Sequence, residues 1–215
     1  MNRRTLGCLF ELLETFLLTL VIFLVVQFFV AQPYQVQQTS MENTLMPDQY
    51  VLVDKLTPDF SDYHRGDVIV FRPPSGWALD LAGTPYIKRV IAVGGDTVDI
   101  HGGHVYVNGS QLSEPYVYEN ETTDMPDNGN GVWKLGPNQL FVLGDHRQAS
   151  QDSRYFGPID RSSVIGRAWL RYWPLSQIGL VSGANQPPAP TGSPGTVEGP
   201  VIGKRDLRVA AHRAA

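Results

Sequence analysis

The chain has 215 residues, a formal net charge of −4 and 42% hydrophobic residues. That length gives room for one domain of ordinary size with appendages, and the acidic balance excludes the basic face expected of a nucleic-acid binder. A single cysteine, Cys8, excludes an internal disulfide framework and any cysteine-built zinc site.

The apolar residues crowd the start of the chain. From Phe16 to Ala31 only Thr19 and Gln27 interrupt a run of Leu, Val, Ile and Phe. Joined to residues 6–13, this run predicts a helix of about 26 residues, roughly 39 Å long at 1.5 Å per residue. A hydrocarbon layer of ~30 Å is within its reach, with Glu11 and Glu14 near one interface. Arg3 and Arg4 precede the run, which orients the N-terminus towards the cytoplasm and the chain after Gln32 outwards. The alternative is a cleaved secretory signal. Against it, Phe29 stands where a cut after Ala31 requires a small residue, and Cys8 lies before the apolar run, not after it as in a lipoprotein signal. The expectation is one uncleaved transmembrane anchor over residues 1–31.

From residue 32 to 183 the sequence reads as mostly β. Tyr50–Lys55, Asp67–Arg72, Tyr86–Val93, Thr97–Ile100, His104–Asn108, Leu140–Leu143 and Val164–Trp173 are short runs rich in Val, Ile, Phe and Tyr. Gly, Pro, Asn and Asp clusters separate them, and no stretch sustains a helical apolar period. His101-Gly102-Gly103-His104 reads as a hairpin turn. Segments 73–85, with Trp77, and 110–138, acidic and turn-rich, read as insertions on the rim of this domain. Residues 184–215, rich in Pro and Gly, form a flexible tail by composition. The folded part carries a net charge of −6 and the tail +2.

Two residues could form a catalytic pair. Ser40 follows Ala31 by nine residues, a span of at most about 30 Å even when extended, so it stays close to the end of the apolar run. Lys88 lies in a predicted strand next to Arg89, and strand alternation sends the two cations to opposite faces. Lys88 would share its face with Val90 and Ala92, an apolar seat without a second charge. A lysine acts as a general base only when neutral. Deprotonating a reference lysine at pH 7 costs about 4–5 kcal/mol, and desolvation supplies shifts of ~3–5 units. A serine touching such an amine becomes a nucleophile without histidine. Taken alone, a serine in a turn and a lysine in a strand are equally compatible with no chemistry at all.

A third segment, Gly144-Asp145-His146-Arg147-Gln148-Ala149-Ser150-Gln151-Asp152-Ser153-Arg154, packs polar groups densely behind an apolar strand. With it the chain resembles the bacterial type I signal peptidases (leader peptidases), membrane-anchored serine endopeptidases with a Ser–Lys dyad. Four stretches match in the family's order: Ser40–Leu45, Gly66–Phe71, Tyr86–Asp96 and Gly144–Arg154. The resemblance spans about residues 10–175 and leaves the tail outside. It implies a signal-peptidase-like β-rich catalytic domain behind one N-terminal transmembrane helix, acting without a metal or other cofactor. The implied substrates are preprotein signal peptides with small residues before the cut, met at the lipid bilayer.

By the same resemblance Ser40 is the nucleophile, Lys88 the general base, and Ser150 the hydroxyl that orients the lysine. Asp145, Asp152 and Arg154 are polar residues that tie the site together, and Met41 packs the nucleophile turn. Three positions depart from or vary within the family. Asn43 stands where Pro is common, which loosens the turn; His146 replaces the usual Asn; and Gln38 holds a place where some members use a serine to complete the oxyanion hole.

Competing readings are weaker. A Ser–His–Asp triad from Ser40, His146 and Asp145 suffers because consecutive residues diverge in extended chain. His101 and His104 lack any accompanying metal-ligand signature. A self-cleaving repressor would carry a DNA-binding segment and no anchor. A membrane-tethered β-domain that binds envelope partners without catalysis remains the alternative from a different class.

Overall fold

The computed structural model of the protein describes residues 3–25, 31–56, 62–74, 84–126 and 131–181. The tail from residue 184, Trp77 with most of segment 73–85, and residues 26–30 of the expected anchor lie outside the described residues. The first element is helix α1, Arg3–Val25. Among the described residues no helix is long and apolar enough to cross a membrane. Ala31, expected as the last residue of the anchor, instead opens strand β1 (Ala31–Gln35), where it sits opposite Asp54 of β2 (Tyr50–Asp54).

The remaining strands are β3 (Val68–Phe71), β4 (Tyr86–Ala92), β5 (Thr97–His101), β6 (His104–Val107), β7 (Ser110–Gln111), β8 (Gly131–Lys134), β9 (Gln139–Leu143), β10 (Ile159–Asp160), β11 (Val164–Trp173) and β12 (Gly179–Leu180). One short helix, α2 (Ser153–Phe156), lies between β9 and β10. The larger sheet runs β1-β2-β11-β3-β4-β9-β10 with β12 added to β11, and the smaller runs β7-β6-β5-β8. Every pairing is antiparallel.

All seven strands expected from their β-branched and aromatic content form within a residue or so of the expected limits. Four of the five additional strands carry little such signal: β7, β10 and β12 are two residues each, and β1 is Ala-Gln-Pro-Tyr-Gln; the fifth, β8, is Gly-Val-Trp-Lys. Pro33 is tolerated in β1 because the strand pairs on one side only. Segment 110–138, expected on the rim, supplies β7 and β8 to the smaller sheet and buries Tyr116, Val117 and Leu135. The hairpin of β5 and β6 turns on Gly102 and Gly103, both with positive φ, as a two-residue turn of the primed type demands.

The core falls into three clusters. One lies between the two sheets and contains Ile91, Val98, Ile100, Val105, Val107 and Phe141. A second, with Met41, Leu45, Val51, Val53, Val68 and Val70, anchors the turn that carries Ser40 to the larger sheet. The third, around Ile69, Phe71, Val90, Val142 and Ile159, backs the central strands β3, β4 and β9.

Candidate active site

Ser40 sits in a compact turn after β1. Glu42 N donates to Thr39 O (2.9 Å), and Leu45 N donates to Met41 O (2.7 Å). Met41 and Leu45 are fully buried in the cluster beneath, so two apolar side chains peg the turn on both sides of its bend. His146 N donates to Ser40 O (3.1 Å), which ties the turn to the segment after β9.

Lys88 lies in the middle of β4, opposite Ile69 of β3, and is 2% exposed. Its Nζ is 2.6 Å from Ser40 Oγ. Among the described residues no carboxylate pairs with it, and the Tyr86 ring lies 5.7 Å from the ammonium nitrogen. Burial pushes the Lys88 amine down to about 8, against the opposing pull of Asp152 and Asp145. This is the desolvation expected from sequence, with one difference. Arg89, assigned to the other face, is buried as completely as Lys88.

The segment Gly144–Arg154 wraps around Asp152, which is fully buried. Its carboxylate accepts from Gly144 N (3.1 Å), Ser150 Oγ (2.7 Å) and Arg154 Nε (2.9 Å), and it caps α2 through Arg154 N. Arg154 in turn donates to Arg147 O (2.6 Å) and Ser150 O (3.2 Å). The Ser150 hydroxyl is therefore spent on Asp152, and no hydrogen bond joins it to Lys88. Gly144 packs so closely that a Cβ there would fall 2.4 Å from Ser150 Oγ and 2.5 Å from Ser40 O. Serine and lysine are thus brought together, and Ser150 belongs to the Asp152 network.

Asp145 serves a different partner. Arg89 Nε and Nη2 grip its carboxylate at 2.8 and 2.7 Å, with both side chains completely buried. Thr44 Oγ1 joins this pair, donating to Asp145 Oδ2 (2.5 Å) and accepting from Arg89 Nη2 (3.0 Å). Arg89 Nη1 also donates to Gly66 O (2.8 Å). Arg89 and Thr44 escaped the sequence reading, although the adjacent cations of β4 were its visible signal. Behind them Arg147 pairs with Glu114 (2.6 Å) from the segment expected on the rim.

His146 is turned away from Ser40 Oγ. Its Nδ1 is 2.7 Å from Glu42 Oε2 and its Nε2 is 3.2 Å from Glu121 Oε1, so the Ser–His–Asp reading has no geometry behind it. Asn43 also departs from expectation. It holds the turn with φ +82° and donates from Nδ2 to Tyr116 O (3.1 Å), which pins the turn where a loosening was expected.

A groove of about 210 Å³ lies between β1 with its continuation and the start of β4; neither Ser40 nor Lys88 lines it, but its walls include Gln38 and Ile87, close to them in the chain. Tyr34, Val36, Val51, Val70 and Ile87 give it an apolar lining, to which Gln38 adds a polar side chain. Gln38 is exposed there, two residues before the serine.

Comparison with known proteins agrees along most of the chain. The signal peptidase, peptidase S26 family model matches residues 9–173. "Probable signal peptidase I-2" of Synechocystis sp. is 33% identical over 192 residues, covering 89% of this chain and 86% of that protein. "Signal peptidase I" of Leptolyngbya laminosa is 35% identical over 173 residues, covering 80% and 83%. "Signal peptidase I" of Bacillus licheniformis is 33% identical over 176 residues, covering 79% and 91%. A solved signal peptidase I of Enterococcus faecalis, 31% identical, aligns with a TM-score of 0.40 over 50% of this chain and 97% of its own. The chain therefore belongs to the signal peptidase family, peptidase S26, and is an endopeptidase that removes signal peptides.

Proposed function

We propose that Ser40 is the nucleophile and Lys88 the general base of this peptidase. The observation that carries the reading is the 2.6 Å approach of the buried Lys88 Nζ to Ser40 Oγ. With the amine at about 8, its neutral form at pH 7 costs about 1.4 kcal/mol, against about 5 for an unperturbed lysine. Neutral Nζ takes the Ser40 hydroxyl proton as Oγ attacks the scissile carbonyl. The resulting ammonium gives that proton to the leaving amine as the peptide bond breaks. Lys88 then takes a proton from water, which attacks the acyl ester and frees the signal peptide and Ser40.

The oxyanion rests on the Ser40 backbone N–H, for which no described residue provides an acceptor. The Gln38 side-chain amide, in the wall of the groove, is its second donor. Ser150, Asp145, Asp152 and Arg154 act through position: they hold the 144–154 segment against the carbonyl of Ser40. Signal-peptide residues before the cut lie extended in the groove beside β1 and β4, adding a strand, and its small volume selects small side chains.

The site works at a membrane in this reading. The exposed apolar side chains of α1, among them Phe10, Leu13, Phe16 and Leu17, are suited to lipid. The segment ahead of β1 serves as a single-pass anchor with a cytoplasmic N-terminus, which leaves the domain that follows it extracytoplasmic.

Purified Ser40→Ala and Lys88→Ala proteins, given a preprotein substrate, lose cleavage while keeping the wild-type circular dichroism and melting behaviour. Processing by either variant at the wild-type rate refutes the dyad.

A further inference from the structure

The positions at which this chain departs from the family motif, Asn43 and His146, engage the same short stretch, residues 116–121. Asn43 Nδ2 donates to Tyr116 O (3.1 Å) and, at 3.5 Å, to Val117 O. The Tyr118 ring stacks on the His146 imidazole with centroids 4.4 Å apart. Tyr118 N donates to Asp145 O (2.9 Å), and His146 N donates to Ser40 O (3.1 Å). The imidazole spans two carboxylates, Glu42 from the nucleophile turn and Glu121 from the stretch. One ring nitrogen faces each carboxylate, so the ring bridges the turn and the stretch. The titratable groups that face it are Glu42, Glu121 and Tyr118, while Asp145, its chain neighbour, is taken up by Arg89.

We propose that residues 116–121 clamp the nucleophile turn, with Asn43 and His146 as positioning residues that hold Ser40 Oγ against Lys88 Nζ. The inference rests on the Ser40–Lys88 reading. Neither side chain touches the reacting atoms. Their effect is on the angle at which the turn presents its hydroxyl, and a displacement of about 1 Å in such a site costs up to ~100-fold in rate. The peptide backbone of the turn alone does not fix that angle, because φ +82° at Asn43 is uncommon outside glycine even though asparagine tolerates it better than most residues. A side-chain amide bonded across to Tyr116 O holds it there.

The test uses three variants of the full chain. His146→Phe keeps a ring on Tyr118 but removes both ring nitrogens; Asn43→Gly keeps the positive φ but removes the amide; Glu121→Gln removes one carboxylate charge without changing shape. Each is measured for kcat and KM on a preprotein-derived peptide, with active sites titrated by an acylating inhibitor and folding followed by thermal melting. The expected result is a loss in kcat per titrated site of about tenfold for His146→Phe and Asn43→Gly and about threefold for Glu121→Gln, with KM within twofold. A role in stability alone lowers the melting temperature and the number of titrated sites but leaves kcat per site unchanged, and that result overturns the clamp. If His146→Phe or Asn43→Gly does not fold, Glu121→Gln decides: kcat within 1.5-fold of wild type, on the order of the assay's scatter, overturns it. Lys88→Ala runs alongside. Wild-type cleavage by Lys88→Ala overturns the dyad and the clamp together, whereas a dead Lys88→Ala beside unaffected clamp variants overturns the clamp alone.

Discussion

Lys88 and Arg89 are consecutive on β4 and both buried, yet only Arg89 lies against a carboxylate. Arg89 closes a two-pronged contact on Asp145, while Lys88 meets the uncharged hydroxyl of Ser40. A buried cation with a partner stays charged, and one without a partner is driven towards neutrality. The strand thereby commits one cation to an ion pair and leaves the other beside a hydroxyl, the arrangement that the proposed base requires.

The rate should carry the signature of that amine. With Lys88 lowered to about 8, the active form of the free enzyme grows as pH rises. The value of kcat/KM increases about tenfold per unit below pH 8 and levels off above it. Stopped-time assays of preprotein cleavage from pH 6 to 10 check this. A profile that stays flat across that window, or breaks near pH 6, assigns the base to another group.

Burying Lys88 also costs stability, and the sign follows from its lowered value. The folded-state amine titrates at about 8 and an unfolded one at about 10.5, so the unfolded chain binds more protons between those limits. At pH 7 the penalty is about 3 kcal/mol, and it disappears as pH rises from 8 to 10.5. Lys88→Met, similar in volume and without the charge, should therefore unfold at higher denaturant concentration than wild type at pH 7 while cleaving nothing. Its advantage should shrink by pH 10. Urea titrations at the two pH values read both effects; an advantage that does not change with pH refutes the linkage.

The Arg89–Asp145 pair has the opposite character. Both side chains are inaccessible and Thr44 completes the contact, so Arg89→Met leaves Asp145 buried without its cation. The expected loss is about 3–5 kcal/mol in the free energy of unfolding. The double variant Arg89→Met/Asp145→Asn should recover part of it, because the stranded charge is gone. Chemical denaturation of wild type, both single variants and the double variant measures the coupling, and additive losses disprove it.

How much of this was visible in the sequence depended on whether the signal was local. Val, Ile and Phe in Asp67–Arg72 and Tyr86–Val93 mark strands because they suit a pleated, buried surface, and those strands form where expected. Strand β1 has no such content: it exists because the chain must run beside β2, a demand set by distant residues. Ser40 and Lys88 were legible through the motifs around them. Their separation of 2.6 Å was not, since it depends on how a turn packs on Met41 and Leu45. The second cation of β4 was read by alternation alone, and alternation says nothing about a carboxylate supplied 56 residues later. The segment 110–138 looked peripheral because its acidic, turn-rich composition hides three buried apolar side chains among its described residues, Tyr116, Val117 and Leu135.

Gly144 leaves no room for a side chain between the nucleophile turn and the 144–154 segment. An added Cβ would meet Ser40 O at 2.5 Å, and that oxygen belongs to backbone already held by His146 N. Gly144→Ala should lower stability by about 1–3 kcal/mol, the range for overpacking, and reduce kcat far more than KM. Melting curves with cleavage kinetics separate the two effects. Wild-type kcat in Gly144→Ala would mean that the turn moves freely relative to the 144–154 segment.

Restoring the residue common in the family at position 43 should harm this protein. Proline fixes φ near −65°, whereas Asn43 sits at +82°, so the ring cannot enter the turn as it stands. The substitution also removes the amide that reaches Tyr116 O. Asn43→Pro should therefore cost more than about 1 kcal/mol beyond Asn43→Gly, which loses the same hydrogen bond but accepts the backbone angle. Comparing the unfolding free energies of the two variants isolates the backbone contribution from the side-chain one. If Asn43→Pro is as stable and as active as wild type, the turn has a second conformation of nearly equal energy, and the positive φ is not what sets the position of Ser40.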